Sequence, residues 1–75
     1  MERFYLHKQL NGHLIEDQKG LRFGNEEAAC RYAVRRAAAF IGKARDVADT
    51  HLGIEVSDGS RTRCIVKASI VVEKP

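Results

Sequence analysis

Three histidines, His7, His13 and His51, and two cysteines, Cys30 and Cys64, are the side chains best suited to hold a metal or to act as nucleophiles. A metal site needs ligands that converge on one point. His7 and His13 flank Asn11-Gly12, a dipeptide that accepts positive φ at both centres of a two-residue hairpin turn. Such a turn sets Leu10 opposite His13 and Lys8 opposite Ile15, so His7 and His13 point to opposite faces. His51 falls near a loop and is expected to be solvated. Neither cysteine stands at a ligand spacing from a histidine, and there is no Cys-x-x-Cys pair. The two cysteines allow at most a single disulfide. Both fall at apolar-face positions, so the expectation is two reduced, buried thiols that behave as small hydrophobes.

Nucleophilic catalysis needs Ser or Cys beside His, with a carboxylate to orient it. Ser57, Ser60 and Ser69 lie in or beside one hairpin, where turn and strand roles account for them. Asp17 reads as a turn former. Gly20-Leu21-Arg22-Phe23-Gly24 lacks the spacing and the Lys-Ser/Thr of a phosphate-binding loop. The expectation is therefore a protein that is not an enzyme, with no cofactor, no bound metal and no identifiable small-molecule substrate.

The basic residues offer a different chemistry. Thirteen Lys and Arg against ten Asp and Glu give a net charge of +3, with a pI near 9.1. This balance permits contact with phosphates without requiring it. Arg31, Arg35 and Lys43 fall within a helical segment, and Arg63 follows a later turn. A solvated face is the simpler account of these four. The alternative is a nucleic-acid contact, largely electrostatic and strongly dependent on salt.

These side chains are carried by a chain of 75 residues, 44% hydrophobic and 31% charged, expected to form one small domain over residues 1–75. No apolar run approaches the ~18 residues that span a bilayer, and the amino-terminal stretch lacks a signal-peptide core. A cytoplasmic protein with no membrane partner is expected. Arg3 to Leu10 and His13 to Glu16 read as strands of a first hairpin. Phe4, Leu6, Leu10 and Ile15 share one face; Tyr5, His7, Leu14 and Glu16 share the other. Asp17 to Gly20 reads as a turn, and Leu21 to Phe23 as a short extended step.

Asn25 is placed to cap a helix, with Glu26 and Glu27 at its positive end. Ala-rich sequence then continues to about Val47. An advance of 100° per residue groups Cys30, Ala33, Val34, Ala37, Phe40, Ile41, Ala44 and Ala48 as its core stripe, with Tyr32, Arg35, Ala39 and Lys43 opposite. Leu52 to Val56, a turn at Asp58-Gly59, and Thr62 to Val72 complete a second hairpin. The predicted class is α+β, order β-β-α-β-β, with an antiparallel sheet and one amphipathic helix packed on one face.

These motifs resemble a family of short proteins of unknown function common in rhizobia and related alphaproteobacteria. The resemblance rests on Arg3-Phe4-Tyr5-Leu6-His7, on Gly12, Ile15, Asp17 and Gly20, and on Glu26-Glu27-Ala28-Ala29. It continues through Ile54-Glu55-Val56, Asp58-Gly59 and the strand from Cys64 to Val72. It implies the same element order and no particular activity. A fainter similarity is to HicB-like antitoxins, which pair an early hairpin with a Glu-Ala-rich helix.

The apolar residues on the sheet face away from the helix add one further expectation. Tyr5, Leu14, Ile65 and Val71 would be left in water by a single copy. The leading expectation is therefore an interaction module that self-associates as a homodimer through these four residues. A regulatory nucleic-acid-binding or antitoxin-like protein, with a nucleic-acid or protein partner, is the alternative.

Overall fold

The computed structural model describes residues 1–43 and 48–75. The first strand, β1 (Glu2–Leu10), turns at Asn11-Gly12 into β2 (His13–Ile15). β3 (Leu21–Phe23) follows, then α1 (Glu26–Gly42), β4 (Thr50–Ser57) and β5 (Thr62–Ile70). The expected α+β class holds, and the extended step at 21–23 proves to be a strand, so the order is β-β-β-α-β-β. The sheet is antiparallel and open, ordered β2-β1-β4-β5, with β3 paired to the start of β1.

The turn at Asn11-Gly12 has φ of 48° and 88°, the left-handed conformation that Asn and Gly tolerate best. It fixes Leu10 against His13 and Lys8 against Ile15. Asn11 also ties this turn to β4, through its Oδ1 to the His51 N–H (2.8 Å) and its own N–H to the His51 carbonyl (2.9 Å). His51 therefore belongs to an exposed part of β4.

Side chains alternate across a strand, so the sheet has two distinct faces. Phe4, Leu52, Ile54 and Val56 point to the helix side and are buried. Each such side chain contributes about 1.5–3 kcal/mol on leaving water. Leu6, Leu10, Cys64, Val66 and Ala68 surround them.

The helix starts as expected: Asn25 Oδ1 accepts the Ala28 N–H at 2.8 Å. Its buried residues are Ala29, Ala33 and Ala37. This corrects the predicted core stripe, because Val34 is 53% exposed and Phe40 39%. Ala48 is exposed as well, and Ala44 lies outside the described residues. The physical reason is that α1 rests on β5 and β4, to one side of the sheet. Contact is centred on the alanines at i, i+4 and i+8, where small side chains allow close approach. The wider stripe counted from hydrophobicity alone extends past that contact on both sides.

Cys30 on α1 and Cys64 on β5 form a disulfide, with Cα atoms 6.5 Å apart. The expectation of two reduced thiols is thereby overturned. Face periodicity placed both cysteines against the core, but it says nothing about whether they meet. The bond ties the first turns of α1 to the edge strand it covers, closing a sequence separation of 34 residues.

Candidate functional site

β2 and β3 both pair with β1, and a gap between them leaves the middle of that edge open. Lys8 pairs with Ile15 on one side of the gap and Phe4 with Leu21 on the other. Leu6 stands between, without a strand residue opposite. Asp17 fills the vacancy: its Oδ2 accepts the Leu6 N–H at 3.1 Å. Its Oδ1 accepts the N–H groups of Lys19 (3.1 Å) and Gly20 (2.9 Å), closing a turn. The Asp17 N–H is donated to His7 Nδ1 at 3.1 Å. Burial opposes the charge on Asp17, yet the N–H groups of Gly20, Leu6 and Lys19 together hold its carboxyl below the ordinary value. Gly20 (φ 72°) fits because a Cβ there would come within 2.9 Å of Arg3 Cγ and the Phe4 carbonyl oxygen. Asp17 and His7 were both named from sequence; their mutual contact was not.

Of the four basic residues considered for nucleic acid, two are engaged by carboxylates. Arg31 pairs with Glu27 one turn earlier. Arg63 binds Glu26 at the start of α1 and Asp58 in the turn, the latter at 3.1 Å. Asp58 Oδ1 also accepts the Arg61 and Ser60 N–H groups, and with Arg63 these donors hold its carboxyl below the ordinary value. Arg63 thus pins the helix to the β4–β5 hairpin. Arg35 and Lys43 are exposed, with no ion pair among the described residues.

The sheet face away from α1 carries Tyr5, His7 and Gln9 from β1, Leu14 from β2, Gly53 and Glu55 from β4, and Ile65 and Lys67 from β5. Leu14 is 60% exposed and Ile65 57%. They sit on opposite edge strands: Leu14 is beside Gln9, and Ile65 is beside Glu55. Tyr5 stacks near His7, with ring centroids 6.4 Å apart and planes 7° apart. Val71 follows the end of β5 and is exposed. The four residues considered for a dimer are thus dispersed among polar neighbours.

The outer edge of the sheet is a further feature, one visible in sequence only as a long β-branched strand. β5 has nine residues and, among the described residues, pairs with β4 alone. Antiparallel ladders alternate the direction of their backbone groups. Because β1 closes its turn through the Leu10–His13 pair, its even residues bond toward β2. The odd residues of β4 then bond toward β1 and its even residues toward β5. The N–H and C=O groups of Ile65, Lys67 and Ser69 are consequently left facing outward.

Among the described residues, no helix is long and apolar enough to cross a membrane. The chain belongs to the family described as a domain of unknown function (DUF6894), whose model matches residues 3–68. No curated protein and no solved structure matches the chain.

Proposed function

We propose that this member of the DUF6894 family is a non-catalytic interaction module that self-associates by joining the β5 edges of two copies into one continuous sheet. The carrying observation is the free edge of β5, nine residues long and β-branched. Such an edge is a template for another strand. A two-fold axis fits a strand that pairs antiparallel with itself. Charge disfavours two registers. Centring on Ile65 would set Arg63 against Lys67, and centring on Lys67 would oppose two lysines. Centring on Val66 sets Ile65 against Lys67 of the second copy and avoids both repulsions. The non-catalytic reading is supported by the structural tasks of the reactive side chains: the Asp17 carboxylate and His7 Nδ1 accept backbone N–H groups, and Cys30 is bonded to Cys64.

Proline scanning of β5 tests this reading. Lys67→Pro removes an outward N–H and leaves the β4 ladder its bonds. It is expected to convert a dimer to a monomer by light scattering, with the circular dichroism unchanged. Val66→Pro removes an inward N–H and is expected to unfold the chain. Ile65→Lys is expected to weaken association more than it disturbs secondary structure. A monomer mass for the wild type at all concentrations refutes the proposal.

Nucleic-acid contact is the second reading, now supported by Arg35 and Lys43, since Arg31 and Arg63 have carboxylate partners.

A further inference from the structure

The placement of α1 leaves half of a sheet face uncovered. The helix rests on β5 and β4 and reaches β3, while the helix-side face of the β1–β2 hairpin is open beside it. A trough of about 270 Å³ runs there, with Leu6 and Ile54 at its floor, Ile15 and Lys8 on the hairpin wall, and Tyr32 and Arg36 on the helix wall. It continues past Lys8, Arg36 and Ile54 to Phe40 and Lys43. From Tyr32 to Lys43 the helix wall extends about 16 Å, at 1.5 Å per residue. The uncovered pair of strands is about 10 Å wide, the diameter of one helix.

The trough is apolar along its floor and rim, with Ile15 57% and Phe40 39% exposed. It is open to solvent along its length, whereas a small-molecule pocket encloses its ligand on most sides. It can accept one face of a helix. Lys8, Arg36 and Lys43 line it, and among the described residues none of them is in an ion pair. Asp17 and Glu16 stand at the other end, and the Asp17 oxygens are already taken by backbone donors. A second copy is a poor occupant, because the outward face of its α1 would bring Arg35, which has no ion pair among the described residues, against these cations, Arg31 there being offset by Glu27.

We propose that this trough is the docking groove for an amphipathic helix with acidic flanks, supplied by a different protein. The apolar stripe of that helix lies on Leu6, Ile15 and Phe40, and its carboxylates meet Lys8, Arg36 and Lys43. The groove lies on the β1–β2 side of the sheet and takes no residue from β5, the opposite edge, so it stands or falls independently of self-association.

The test uses two stapled helical peptides of about 14 residues, a length at which free helices are marginal. Both carry the same Leu stripe; one has Glu flanks and the other Lys flanks. Fluorescence anisotropy is expected to show the Glu peptide binding at least about tenfold more tightly. Arg36→Glu is expected to reverse that preference, and Ile15→Ser to weaken both peptides, with circular dichroism unchanged in each variant. Nuclear magnetic resonance shifts should cluster at Ile15, Tyr32 and Phe40. Failure of the Glu peptide to bind, equal binding of both peptides, or indifference to Arg36→Glu overturns the proposal. So does binding of dodecanoate in place of the peptide, or a loss of self-association in Ile15→Ser, which would assign the groove to a fatty acid or to a second copy.

Discussion

The Asp17 carboxylate stands where a strand residue would pair with Leu6: Oδ2 accepts the Leu6 N–H at 3.1 Å, in the gap between β2 and β3. One side chain thereby supplies a missing rung and lets the edge of β1 be shared by two short strands. The same residue closes the turn through Lys19 and Gly20, so the turn and the rung form together.

Loss of this carboxylate leaves three backbone donors without their partner. Asp17→Ala is expected to cost about 2 kcal/mol, allowing for partial solvation of the site. Asp17→Asn should cost less, because it keeps an acceptor for the turn but lacks the charge. Urea unfolding measures both. The folded-state pKa of Asp17 lies below its unfolded value, so its contribution is complete above the unfolded value and is lost as pH falls through the folded one. Wild-type stability should therefore decline below about pH 4, the ordinary carboxylate range. Asp17→Ala should show a shallower decline, with Asp58 supplying part of what remains.

The Cys30–Cys64 bond should carry much of the stability of so small a core. Loop closure over a separation of 34 residues corresponds to about 4 kcal/mol in the chain-entropy account. Reduction by dithiothreitol, or Cys30→Ser with Cys64→Ser, is expected to lower the thermal midpoint by about 15–25 °C. Calorimetry with and without reductant checks this. An unchanged midpoint would mean that the bond is not formed in solution.

Substitution along α1 should separate contact from hydrophobicity. Ala37 is 2% exposed, and Ala37→Asp places an unpaired carboxylate against β4 and β5. That should abolish folding, at a cost of several kcal/mol. Ala39→Asp and Val34→Asp lie on exposed positions and should change the midpoint little. Equal midpoints for all three would contradict the observed orientation of the helix.

A phosphate-binding role for α1 would depend on Arg35 and Lys43. Arg35→Glu with Lys43→Glu is expected to abolish any DNA or RNA binding and to preserve the fold. Affinity of the wild type should fall steeply as salt rises. Gel-shift titration at low salt decides it, and absence of binding there removes the nucleic-acid reading.

Several features followed from residues close together in the chain. Asn11-Gly12 determined the first hairpin and its register, because only a few residue types accept two left-handed turn positions. Asn25 determined where α1 begins, because its side chain reaches a donor only three residues ahead. Alternation along β1, β4 and β5 determined which residues share a face. These are local rules, with periods of two or four residues.

What the tertiary structure decided depends on groups distant in sequence. Leu21 to Phe23 becomes a strand because β1 offers it a partner about twenty residues earlier. α1 buries Ala29, Ala33 and Ala37 and leaves Val34 and Phe40 in water because it rests off-centre on β4 and β5. Hydrophobicity along one helix carries no record of that offset. The same offset opens the trough beside β1 and β2, and it brings Cys30 within bonding reach of Cys64. Composition supplied the cations, alanines and thiols; only packing determined which of them meet.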